Sequence, residues 1–151
     1  MFIVDDDLKI ELDVEVRIPT SNGGGIKQDF IGIFRDPDTE EVRELMAMIR
    51  SSSENFESYE DYKESDQYGN DIAGFADRFL EGVKNVGKYK KNNDGTYVIN
   101  DKNERVTEIV SSEEGLKIVL KGHRSAMAAG QTFIDKILFP KSQQGNTKKG
   151  R

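Results

Sequence analysis

The chain has 151 residues and a net charge of −6, with 35% apolar and 33% charged residues, which suits one domain with a modest core. Having no cysteine and a single histidine, His123, it excludes disulfides, thiolate catalysis and two-histidine zinc sites. No apolar run approaches the roughly 18–20 residues of a membrane span, and the opening lacks a basic n-region, so the expectation is a soluble intracellular protein.

From Leu8 to Ile18, apolar and charged residues alternate strictly, the mark of a half-buried strand that Pro19 ends. Ser21–Gly25 is a glycine-rich loop, and Ile26–Arg35 is a second run rich in Ile and Phe. Together they predict an antiparallel hairpin over 1–35. Phe30, Ile31, Ile33 and Phe34 imply that its second strand is covered on both faces, by helices, a third strand or another subunit.

Residues 36–50 predict a helix, with Asp38 as cap and Glu41 three residues on to complete a capping box. Val42, Leu45, Met46 and Ile49 form its apolar stripe. Residues 51–71 then hold seven acids against one base, with tyrosines at 59, 62 and 68. That composition fits a mobile loop or a helix that orders against something, and 51–70 is expected to be an acidic flexible segment.

A second helical stripe, Ile72, Phe75, Ala76, Phe79, Leu80 and Val83, predicts a helix over about 70–85. Asn92–Gly95 and Asn100–Asn103 read as turns flanking a short strand, Thr96–Ile99. Ser111 and Glu114 suggest a second capping box, and Leu116, Val119 and Leu120 face one way behind it. Gly122 breaks this helix before another over about 124–138, which Pro140 stops. The whole is an α+β domain over 1–139: an antiparallel hairpin sheet, then a mainly helical body with a small β-turn-β insertion. Residues 140–151 are expected to be a disordered basic tail. The stretch 136–151 carries five bases and no acid.

No motif for a cofactor, metal or nucleotide survives inspection. Gly23–Gly25 precedes a strand and lacks the P-loop spacing. Asn92–Gly95 would put Lys90 at the first position of a calcium loop, where a cation defeats the site. Asp5–Asp7 reads as a solvated terminus and Asp36 to Asp38 as a helix start. His123 has no nucleophile motif beside it. Basic residues do not cluster on the body, which disfavours nucleic acid.

The order of elements is similar to something familiar. Val14-Glu15-Val16-Arg17-Ile18-Pro19-Thr20, a glycine loop, Phe30-Ile31-Gly32-Ile33-Phe34-Arg35 and an acidic helix resemble the start of tail assembly chaperones of long-tailed bacteriophages. A helix ending Gly82-Val83, the polar turn 97–103, a Ser-Ser-Glu-Glu helix start and closing helices continue the resemblance to about residue 138. Many members carry a Trp after the middle helix, where this chain has Val86-Gly87-Lys88-Tyr89.

The resemblance implies a non-enzymatic protein of the bacterial host cytoplasm. It would coat the tape measure protein before tail-tube subunits polymerise, and self-associate into a homo-oligomer. The tail-tube protein is a further expected partner. A minus-one frameshift product is also expected, since Thr147-Lys148-Lys149 permits a slippery heptamer. Phe75, Phe79, Met127 and Phe133 are the expected partner-binding residues, as apolar positions on the helical stripes. The alternative is a structural tail protein, a tail-tube or tail-completion subunit, that stays in the virion. A small enzyme would instead need a pocket with converging polar groups.

Overall fold

A computed structural model describes residues 1–3 and 5–140. The alternating pattern becomes β1 (Lys9–Pro19) and the Ile/Phe-rich run β2 (Gly25–Arg35), paired antiparallel along their whole length from Lys9↔Arg35 to Pro19↔Gly25. One face carries Val14, Val16, Phe30 and Phe34, all buried. Lys9, Glu11, Asp13, Glu15 and Arg17 lie exposed on the other. The fold class is α+β, as expected: a hairpin sheet, a mainly helical body and a small β insertion.

Asp38 caps α1 (Thr39–Ser53) with both halves of its capping box in place. The Glu41 amide donates to Asp38 Oδ1 at 2.8 Å, and the Asp38 amide donates to Glu41 Oε1 at 3.1 Å. The Glu41 carboxylate also accepts two bonds from Arg35, at 2.7 and 2.8 Å, tying α1 to the end of β2. Of the expected stripe only Leu45 is fully buried, and Met46 is 40% exposed.

The acidic stretch differs from its flexible reading. It contains α2 (Tyr59–Lys63) and the start of α3 (Asp66–Phe79), each with a serine cap, Ser58 and Ser65. Tyr62 is completely buried and packs edge-on against Tyr68 at 5.3 Å. Its hydroxyl donates to Asp71 Oδ2 at 2.6 Å. Glu54, Glu57, Glu60, Asp61, Glu64 and Asp66 face solvent, while Tyr62 and Tyr68 supply the buried apolar area that composition alone understates.

The helix expected to run to residue 85 stops at Phe79. Leu80–Lys84 forms β3, which joins the free edge of β2 in the order β1-β2-β3. Leu80 and Val83 fit a helical stripe, but they face the core equally well from a strand. Gly82 weakens the helix, and β2 offers backbone partners.

A two-stranded ribbon of β4 (Gly87–Tyr89) and β5 (Thr107–Ile109) follows. The expected strand at 96–99 contributes only bridges, Lys91↔Tyr97 and Ile99↔Arg105. Val98 donates to the Lys90 carbonyl and accepts from the Val106 amide, both at 3.0 Å, so residues 96–99 lie between the two halves of the ribbon.

Ser111 caps α4 (Ser112–Lys121) by accepting from the Glu114 amide. The second half of that capping box is absent: the Glu114 carboxylate accepts from Lys88 at 2.7 Å. Gly122 separates α4 from α5 (His123–Phe133), which ends in a π-helical turn, Ile134–Leu138, before Pro140. The expected basic tail lies outside the described residues beyond Pro140. No described helix is long and apolar enough to cross a membrane.

The core centres on Phe133. It stacks on Phe79 at 4.6 Å and meets Phe34 and Phe75 at 6.1 and 6.4 Å, joining α5, α3 and the sheet. Truncating such a residue to alanine costs about 3–5 kcal/mol.

Candidate functional site

The residues expected to bind a partner are core residues. Phe75, Phe79 and Phe133 are no more than 2% exposed, and the half-buried Met127 rests beside Gly69. Helices α3 and α5 pair closely enough to turn these stripes against each other. The structure therefore places all four together, but as the glue between two helices, and presents none of the three phenylalanines to a partner.

The open apolar surface lies elsewhere. Beyond Ile31↔Lys84, β3 leaves the sheet, while β1 and β2 continue to the hairpin loop. The departure is at Asn85, whose φ of +64° turns the chain away towards β4. Asparagine enters this left-handed region more readily than most residues. The inner face is covered at Val14, Val16 and Phe30, but towards the hairpin loop the cover thins: Ile18 is half-buried and Ile26, opposite it, is 52% exposed.

A groove of about 900 Å³ occupies that space. Val16, Ile18 and Phe30 form its floor, Ile118 and Val119 one wall, and Val86 with Tyr89 the other. Ile118 is 41% and Tyr89 50% exposed, so the apolar character continues to the rim. Lys88, His123, Arg124 and Asp29 complete the rim with charged or titratable groups.

Local bonds hold the walls in place. Ser125 Oγ lies 2.6 Å from the Val119 carbonyl and 3.0 Å from that of Gly122, closing the α4–α5 corner. Ser112 Oγ accepts from the Val83 amide at 3.0 Å, fastening α4 to β3. Lys88 bridges to Glu114, whose carboxylate raises the lysine pKa, and so links the ribbon to α4. The Val110 amide donates to the Val86 carbonyl at 2.9 Å.

The groove has the chemistry of a docking surface. Apolar side chains dominate it, with Gln28 the polar residue opposite Val16 on the hairpin and charged groups around it, a mix suited to the apolar face of an amphipathic segment. Among the described residues, no three His, Asp or Glu side chains converge to hold a metal. Arg105 stacks over Tyr97 at 3.8 Å on the ribbon, an internal brace for that arm.

Ile118 and Tyr89 were invisible as site residues in the sequence. Ile118 is an apolar residue off the Leu116, Val119, Leu120 stripe of α4, and that misfit is the only local signal. The groove itself joins segments far apart in the chain.

Comparison of the chain with family models, with curated proteins and with solved structures finds no match.

Proposed function

We propose that the protein is a non-enzymatic tail assembly chaperone of a long-tailed phage or prophage, acting in the bacterial cytoplasm. It binds an amphipathic helical segment of the tape measure protein and keeps it dispersed until tail-tube subunits assemble. The observation that carries this reading is the groove with its exposed Ile118 and Tyr89. A long helix with an apolar stripe needs that stripe shielded, and it would insert side chains spaced i, i+3 or i+4, i+7 against Val16, Ile18 and Ile118. The net charge of −6 keeps such a complex in solution by repulsion between copies.

The test is co-expression with the tape measure protein of the same genome. Wild-type protein should raise the soluble tape measure fraction, and Ile118→Glu should remove that effect while leaving the far-UV dichroism unchanged. Equal soluble tape measure protein with and without the chaperone would overturn the reading. Recovery of the protein in purified particles would favour a tail-tube or tail-completion subunit instead.

A further inference from the structure

We propose that the docking surface continues past the groove onto one face of the ribbon, where Arg105 and Lys91 hold acidic residues that flank the apolar stripe of the bound helix, a reading that rests on the groove being the client site. The ligand class is a peptide segment that sets carboxylates beside an apolar stripe.

The register of the ribbon defines this face. Residues directly opposite in an antiparallel pair share a side, and so do residues two apart along a strand. Tyr89 stands opposite Thr107, Lys91 opposite Tyr97, and Ile99 opposite Arg105. The three pairs link into a ring, so all six side chains share one face. The backbone closes in the same cyclic way. The Val98 amide donates to the Lys90 carbonyl at 3.0 Å, the Lys90 amide to the Val106 carbonyl at 2.8 Å, and the Val106 amide to the Val98 carbonyl at 3.0 Å. Tyr89, Tyr97 and Arg105 therefore occupy equivalent places in three paired segments, which hold the face in shape.

The chemistry of this face is aromatic and cationic. Tyr89 is 50% and Ile99 48% exposed. Arg105 lies 3.8 Å from the ring centre of Tyr97 and 5.5 Å from that of Tyr89, and Lys91 lies 5.3 Å from that of Tyr97. Stacking uses the flat side of the guanidinium and leaves its in-plane N–H donors open, a fork that matches a carboxylate. Lys88 is already held by Glu114, but among the described residues neither Arg105 nor Lys91 forms an ion pair. Glu104 and Glu108 have the opposite parity and fall on the other face, and Asp94 accepts from the Thr96 amide and hydroxyl within its turn. The six positions thus carry two cations and no acid.

Tyr89 and Thr107 also line the groove, so the two surfaces are continuous. An acidic peptide suits this surface better than a nucleic acid. Residues 87–110 hold five bases against four acids, whereas 1–86 holds nine bases against twenty-one acids. A long polyanion laid along the ribbon would be repelled by that acidic body, while a few carboxylates meet only the local cations.

The test is fluorescence anisotropy with two labelled synthetic peptides. Both form the same Leu-striped amphipathic helix, and they differ only in their flanks, glutamates in one and glutamines in the other. Wild-type protein should bind the Glu-flanked peptide roughly 10-fold more tightly at low salt, with the advantage shrinking as salt rises. Lys91→Gln/Arg105→Gln should abolish that advantage and leave the affinity for the Gln-flanked peptide unchanged. If the double variant also weakens the Gln-flanked peptide, the ribbon has been damaged, and Lys91→Gln alone decides by the same ratio. Equal affinity of the two peptides for wild type overturns this inference and leaves the groove reading intact. An advantage that both variants retain also overturns it, since other cations then supply it. Binding of neither peptide sinks the groove reading together with this one. A poly-dT oligonucleotide that displaces the Glu-flanked peptide at lower concentration than the unlabelled peptide does would assign the face to nucleic acid instead.

Discussion

Gly130 lies directly against the backbone of Ile72: a Cβ placed at 130 would stand 1.8 Å from the Ile72 carbonyl oxygen. The same alignment sets Gly69 beside Met127 and Phe75 beside Phe133, so α3 and α5 run in the same direction with their backbones nearly touching. Gly130→Ala must push the helices apart and open the stack around Phe133. Urea unfolding should show a loss of about 3 kcal/mol or more, at the upper end of overpacking costs. Gly74→Ala, where the added methyl meets nothing within 4 Å on the same α3, should be neutral or slightly stabilising.

Tyr62 anchors the acidic stretch. Burial, reinforced by the Asp71 carboxylate, pushes its phenol well above the usual tyrosine range, so it stays protonated and donates at every ordinary pH. Tyr62→Phe keeps the packing and loses one hydrogen bond, for about 1–2 kcal/mol. Tyr62→Ala should cost about 3–5 kcal/mol and expose the 54–65 stretch to protease. Limited proteolysis read by mass spectrometry separates the two variants. Early cleavage there in the wild type would contradict the buried anchor.

Glu41 makes stability depend on pH. The Arg35 guanidinium, with help from the Asp38 amide, holds its carboxyl down to about 2, against 4.5 for a free side chain. The unfolded chain therefore takes up this proton first. The resulting stabilisation is fully present above pH 4.5 and drains away as pH falls towards 2. Glu41→Gln keeps an acceptor for the cap but loses the charge pair. It should cost about 1–2 kcal/mol at neutral pH, and should flatten the stability profile between those two values. An unchanged slope in acid-dependent urea titrations would count against it.

Asn85 sets where the groove begins. Asn85→Gly should leave stability within about 0.5 kcal/mol, whereas Asn85→Val should cost about 1–2 kcal/mol because a branched side chain resists positive φ. Thermal unfolding of the two variants checks the ordering.

Local chemistry announced much of this architecture and little of its surface. The strict alternation from Leu8 to Ile18 and the Asp38–Glu41 pair each encode their outcome within a few residues, and both the hairpin and the helix start form as read. Leu80 to Lys84 could not be read that way, because its strand state depends on the edge of β2 some fifty residues earlier. Tyr62 sits among acids that mask the burial of its ring. Phe75, Phe79 and Phe133 show the opposite problem: an apolar stripe does not say whether its partner is another helix of the same chain. Ile118 and Val16 come to line one groove only once the hairpin, the ribbon and α4 are in place.

The junction between Phe79 and Leu80 has no connecting residue, for α3 ends where β3 begins. There is consequently no slack to absorb displacement between them. A tilt or slide of α3 is delivered straight to β3, and through β3 to Asn85 at the mouth of the groove. The shift in strand register between Ile33 and Phe34 stands beside this joint. Helix and strand thus behave as a single lever, and a load applied at one arm is felt at the other.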